Sequence, residues 1–144
     1  MIEPRCFRAG AWTSLALVLA LLPWTVAPQS VSQGVPKQVH LVVDGKRLMA
    51  SNVRLNTFHE LDLGAQERVR DQRVGEAVIV VVTNQRILGY GVLSGWRGVD
   101  RVPNEQIESL SAEDYAGLIV TSERMLNFNG ETGVWGERKR RVSH

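Results

Sequence analysis

The sequence predicts an all-β protein made of three repeated units, each of four short strands. Three observations carry this expectation. An arginine closes a short polar turn three times, at Arg47, Arg86 and Arg124, at intervals of 39 and 38 residues. Each turn follows a run of apolar, largely β-branched residues and precedes a second apolar segment, which is the layout of a hairpin. An aromatic residue then recurs at Phe58, Trp96 and Trp135, which lie 11, 10 and 11 residues beyond the arginine. Further matches keep the same phase: Asp62 and Asp100, Glu67 and Glu105, Val69 and Ile107. A period of this length belongs to units that stack in an array or a ring.

The N-terminal stretch stands apart from the repeats. Arg5 and Arg8 open it, an apolar run from Ala9 to Leu22 follows, and Pro23 breaks that run ahead of small residues. This is the three-part layout of a secretory signal peptide. Ser30-Val31-Ser32 offers a cleaner cleavage site than Ala27, which Pro28 follows directly. Residues 1–32 are therefore expected to be a signal peptide or, uncleaved, an N-terminal membrane anchor, placing the protein in the periplasm or outside the cell. Cys6, the single cysteine, lies before the apolar run, so cleavage leaves no thiol, no disulfide and no thiolate metal ligand.

Residues 33–144 form the expected three-repeat domain, with units at about 39–76, 77–114 and 115–144. The first strand of each is almost wholly apolar, in Val39 to Val43, Ala77 to Val82 and Gly117 to Val120, and is expected to be covered on both faces. The turns read Asp-Gly-Lys-Arg, Thr-Asn-Gln-Arg and Thr-Ser-Glu-Arg; an Asp or Thr at the first position bonds the backbone two residues on. The second strand takes in Ile87 to Tyr90 and Met125 to Phe128, a glycine-containing loop follows, and the third strand carries the aromatic. A polar connection, with one helical turn expected from Pro103 to Ile107, leads to a fourth segment at Ile107 to Leu110. The last unit stops after its third strand, and residues 30–38 are expected to supply the missing one, hiding an open edge.

The string Gly117-Leu118-Ile119-Val120-Thr121 through Asn127-Phe128-Asn129-Gly130-Glu131-Thr132-Gly133-Val134-Trp135 resembles one blade of a β-propeller of the quinoprotein or Kelch-like kind. The resemblance takes in three such blades over residues 30 to 142 and implies a propeller-like fold. A usual ring has 4 to 8 blades. Three per chain therefore implies two chains sharing a six-bladed ring, an arrangement that some small lectins use. Two alternatives stay open. A β-trefoil has three units of four strands within one monomer. A pleckstrin-homology-like barrel carries a Thr-Asn-x-Arg hairpin to which Thr83-Asn84-Gln85-Arg86 is similar.

Composition limits the functions. A net charge of +2 over 144 residues is too small for a nucleic-acid partner. The one basic cluster, Arg138-Lys139-Arg140-Arg141, reads as a solvated tail, with an anionic membrane surface as its functional alternative. His40, His59 and His144 have no metal-binding spacing, and neither a nucleophile elbow nor a phosphate-binding glycine loop occurs. Asn127 to Glu131 supplies a few calcium-type oxygens but reads better as a hairpin turn. No cofactor, metal or catalytic activity is expected. The polar positions that stand out are Arg47, Arg86 and Arg124, with Trp96 and Trp135. A Trp beside an Arg suits a sugar, by stacking and by hydrogen bonding. The competing reading has the arginines in ion pairs with Asp62 and Asp100 or with Glu67 and Glu105, and the aromatics in packing between units. The expected function is an exported scaffold that binds protein, either a different partner or itself. A small carbohydrate-binding lectin is the alternative.

Overall fold

The computed structural model describes residues 34–141. The expected leader, its cleavage site, Cys6 and His144 lie outside them. Eleven strands run through the described chain, and no helix occurs among the described residues. They are β1 (Val39–Asp44), β2 (Arg47–Asn52), β3 (Thr57–Asp62), β4 (Val69–Val74), β5 (Val78–Thr83) and β6 (Arg86–Gly91). The rest are β7 (Gly95–Asp100), β8 (Ile107–Glu113), β9 (Ala116–Thr121), β10 (Arg124–Asn129) and β11 (Val134–Lys139). They form three open antiparallel sheets, β1-β2-β3, β4-β5-β6-β7 and β8-β9-β10-β11, and none closes into a barrel. The barrel that a pleckstrin-like domain requires is therefore not built.

Several features differ from the sequence expectation. The fourth segment of each unit was expected to complete the unit before it. Instead β4 pairs with β5, and β8 pairs with β9, so each begins the next sheet. The first sheet consequently has three strands. Of the segment expected to close the last unit, residues 34–38 are not a strand; Gln38 bonds Glu76 and Val53 through its backbone instead. The helical turn expected from Pro103 is a non-helical turn, because Asn104 sits at φ 62° and cannot continue a right-handed helix.

The turns follow from the residues the sequence places there. Gly45 takes φ 58° in the β1–β2 hairpin, a conformation the two-residue turn requires. In the β5–β6 hairpin Thr83 does the work with its side chain: its hydroxyl accepts from the Arg86 amide at 2.9 Å. Thr121 repeats this with the Arg124 amide at 2.9 Å in the β9–β10 hairpin.

The sheets lie face to face in chain order. β1 packs on β4 and β5, and β5 packs on β8 and β9, so the second sheet is covered on both sides. Every residue of β5 is fully buried. Ile79 and Val81 join Leu48, Ala50, Leu88 and Tyr90 in the layer between the first and second sheets. Val80 and Val82 join Ile87, Ile119 and Leu126 in the layer between the second and third. A period of two sends alternate side chains to opposite layers. The apolar first strands of the end sheets were expected to be equally covered. They are not, because each end sheet has a neighbour on one side only, and Val42 and Leu118 are exposed.

The repeat keeps one direction throughout. Second and fourth residues after the repeated arginine (Leu88 and Tyr90; Leu126 and Phe128) face the preceding sheet. First and third residues (Leu48 and Ala50; Ile87 and Gly89) face the following one. Glycine is required at points where these faces touch. A Cβ at Gly89 would lie 2.6 Å from the Phe128 ring, and one at Gly117 would lie 2.3 Å from Val80 Cγ2.

This contact is testable. Gly89→Ala is expected to destabilise the protein by about 1–3 kcal/mol, the usual cost of overpacking. Adding Phe128→Leu is expected to cost less than the sum of the two single changes, as urea midpoints would record.

Candidate functional site

Two of the repeated arginines, Arg86 and Arg124, end up in polar clusters around a buried glutamate at the junctions between sheets. Arg86 Nε donates to Glu67 Oε1 at 2.8 Å, and the Thr83 hydroxyl donates to the same oxygen at 2.8 Å. The other Glu67 oxygen accepts from the Gly64 amide at 3.0 Å. One repeat on, Arg124 Nε donates to Glu105 Oε1 at 2.7 Å, Thr121 donates at 2.8 Å and the Val102 amide at 3.0 Å. The guanidinium also reaches back to the last strand of the preceding sheet. Arg86 bonds the Asp62 carbonyl and Arg124 the Asp100 carbonyl, at 3.3 and 2.6 Å. Each cluster thus ties one sheet, the linking loop and the next sheet together.

Environment explains the ionisation of these groups. Burial alone would push the Glu105 carboxyl up. The hydrogen bonds from Arg124, Val102 and Thr121 and the Arg124 charge outweigh it and hold the group below its ordinary 4.5. Glu67 behaves in the same way: burial is outweighed by Arg86, Gly64 and Thr83. The hydrogen bond to Glu105 raises Arg124 above its ordinary value against the effect of burial, helped by Glu137 at 3.0 Å.

Arg47 is different. It lies in the first sheet and pairs with Asp62 and Glu60, both at 3.3 Å, with half of its side chain in solvent. Asp44 holds the place of Thr83 and Thr121, and no buried glutamate partners this arginine among the described residues.

The tryptophans pack between sheets. Trp96 is half-buried beside Tyr90, ring centroids 5.2 Å apart, and its indole N–H donates to the His59 carbonyl of the first sheet at 3.1 Å. Trp135 lies against Phe128 at 4.8 Å in the layer facing the second sheet, its indole N–H buried without a partner. The arginine and the tryptophan of one unit do not come together. Arg86 pairs with Asp100, whereas Trp96 pairs with Tyr90, four positions along the ladder. At about 3.3 Å per residue that is roughly 13 Å.

A further polar group escaped sequence reasoning. Asn52 Nδ2 donates to the Tyr90 hydroxyl at 3.0 Å and to the Val92 carbonyl at 2.8 Å, and the same hydroxyl meets His59 Nδ1 at 3.0 Å. Burial lifts the Tyr90 hydroxyl above its ordinary 10.0, with the Asn52 bond opposing. These residues join the first sheet to the second. No spacing announces them, since Phe128 replaces Tyr90 in the next unit. The Asn127 to Glu131 segment is the end of β10 running into a hairpin turn, where Asn129 Oδ1 accepts from the Glu131 and Thr132 amides. Among the described residues no group of three or more His, Cys, Asp or Glu is placed to hold a metal ion.

What the chain leaves open to a ligand is surface. The outer face of the third sheet holds a shallow apolar hollow of about 350 Å³, lined by Leu118, Met125, Asn127, Gly136 and Arg138 among others. Phe58 projects from the outer face of the first sheet with 69% of its surface exposed. No protein-family model matches the chain, and no curated protein matches it.

Two outcomes follow for the junction clusters. Glu105→Ala leaves the buried Arg124 with only the half-exposed Glu137 as counter-charge and is expected to cost about 3 kcal/mol of stability. Arg47→Ala, which removes an exposed pair, is expected to cost about 1 kcal/mol or less by the same denaturation measurement. The second outcome concerns acid. Folded-state carboxyls held below 4.5 add stability above that pH, and the gain is lost as pH falls through the folded values. Stability measured from pH 7 downward should therefore drop steeply below about 4.5, and Glu67→Gln with Glu105→Gln should flatten that limb.

Proposed function

We propose that this chain is an exported, non-catalytic module of propeller-like units that binds protein through the exposed faces at the two ends of its sheet stack. One observation carries the reading. Both end faces keep apolar side chains in water, Val42 and Phe58 on one and Leu118 and Met125 on the other. Large apolar side chains held in water on one sheet face are the kind of surface that interaction sites use. The polar residues that the repeat singles out support it too. Arg86 and Arg124 are committed to Glu67 and Glu105, and Trp96 to the first sheet, which leaves them little capacity for a sugar. The leader-like N-terminus supports export to the periplasm or beyond, with a membrane tether if it is retained.

A photo-reactive side chain tests this reading in the full chain expressed in its own host. Placed at Phe58 or at Met125, it is expected to form protein adducts; placed at Gly45, on a hairpin tip, it is not. No adduct from either face, together with glycan binding that Trp96→Ala abolishes, would refute it in favour of a lectin.

A further inference from the structure

Resting on the protein-binding reading, we propose that the partner is a second copy of this chain, docked head to tail so that its first sheet covers the third sheet of its neighbour. The repeat supplies the reason. Both interior layers join the following-side face of one sheet to the preceding-side face of the next. The two exposed faces are one of each kind. The third sheet exposes a following-side face, with Leu118, Met125, Asn127 and Gly136 at the positions that Leu41, Leu48, Ala50 and His59 hold in the first sheet. The first sheet exposes a preceding-side face, with Val42, Met49 and Phe58 at the positions of Val81, Leu88 and Trp96.

The hollow on the third sheet is thus the counterpart of the bed on which Tyr90 and Trp96 lie. Phe58 of the second copy is the side chain the repeat would seat there. Gly136 leaves that space open: an added Cβ would meet only the Asn127 carbonyl oxygen, at 3.8 Å. Charge agrees with this placement. Third strands meet third strands in the interior, where β3 packs on β7. On the exposed faces Arg138 takes the place of Val99, and Glu60, which also pairs with Arg47, takes that of Gly98, so docking sets a cation against an anion. The backbone agrees as well. Gln38 and Ala77 each donate to a carbonyl in the first turn of the following sheet, at Glu76 between β4 and β5 and at Asp114 between β8 and β9. Tyr115, which takes their place in the third unit, makes no such bond among the described residues. The carbonyl of Lys37 in the second copy is its counterpart. A contact that joins unlike faces closes a ring or grows a filament. Two copies give six sheets, within the usual 4 to 8 of a ring.

Light scattering on the full chain, held in mild detergent, tests the proposal. The unaltered protein is expected at twice its monomer mass. Phe58→Asp and Met125→Asp each remove one kind of face and are expected to be monomers with unchanged far-UV circular dichroism. Mixing the two variants leaves one intact pair of unlike faces, and a one-to-one complex is expected to return. Glu60→Arg or Arg138→Glu alone is expected to weaken assembly at least tenfold, and the double exchange to restore it. A monomeric unaltered chain, variants that still assemble, or a mixture that does not pair would each overturn the proposal. A monomer that still forms adducts with a different protein leaves the binding reading standing, whereas a monomer without adducts removes both.

Discussion

No sheet in this protein can be covered by its own chain segment alone. A single antiparallel layer has two faces, and the apolar residues of β5 and β6 occupy both. Their burial depends on a sheet on each side, and the order of the stack follows from that requirement. The first and third sheets are shaped by it at one remove. Each presents one face that matches the second sheet, and the third does so closely enough that glycine must stand at positions 89 and 117.

The junction clusters set the spacing between these layers. A glutamate in the linking loop, a threonine at a hairpin and an arginine beyond it converge, although the glutamate precedes the arginine by 19 residues. Such a buried pair is a weak source of net stability compared with apolar packing. Its geometry is specific, however: the guanidinium must reach a carboxylate in the loop and a carbonyl on the previous sheet together. The clusters therefore fix how one sheet follows another, while the apolar layers between them hold the stack together.

Much of this was legible in the sequence because the signals were periodic. The all-β class, the hairpins and the threonine-supported turns came from local patterns that each unit repeats. The ion pairs with Glu67 and Glu105 were among the readings the spacing allowed, but Asp62 and Asp100 recur in the same phase, so the repeat alone did not choose between them. The assignment of β4 and β8 to the following sheet was not legible. A strand such as Val69–Val74, with Arg70, Asp71 and Arg73, carries no mark of which neighbour it will pair with. Exposure of the end faces was hidden for a different reason: Val42 and Leu118 belong to apolar runs like that of β5, and only position in the stack separates them. The contact of Asn52 with Tyr90 needed both units in place, since neither residue recurs in every repeat.

All ladders join strands that are neighbours along the chain. The protein therefore has few distant pairings to find, which is unusual for an all-β topology and favours rapid folding. Each sheet can assemble as its own segment emerges, in order from the N-terminus. The middle sheet is then left half-covered until the chain is complete. Until the third sheet arrives, Val80, Val82 and Ile87 stand in water, and a chain stalled at that stage is an aggregation hazard.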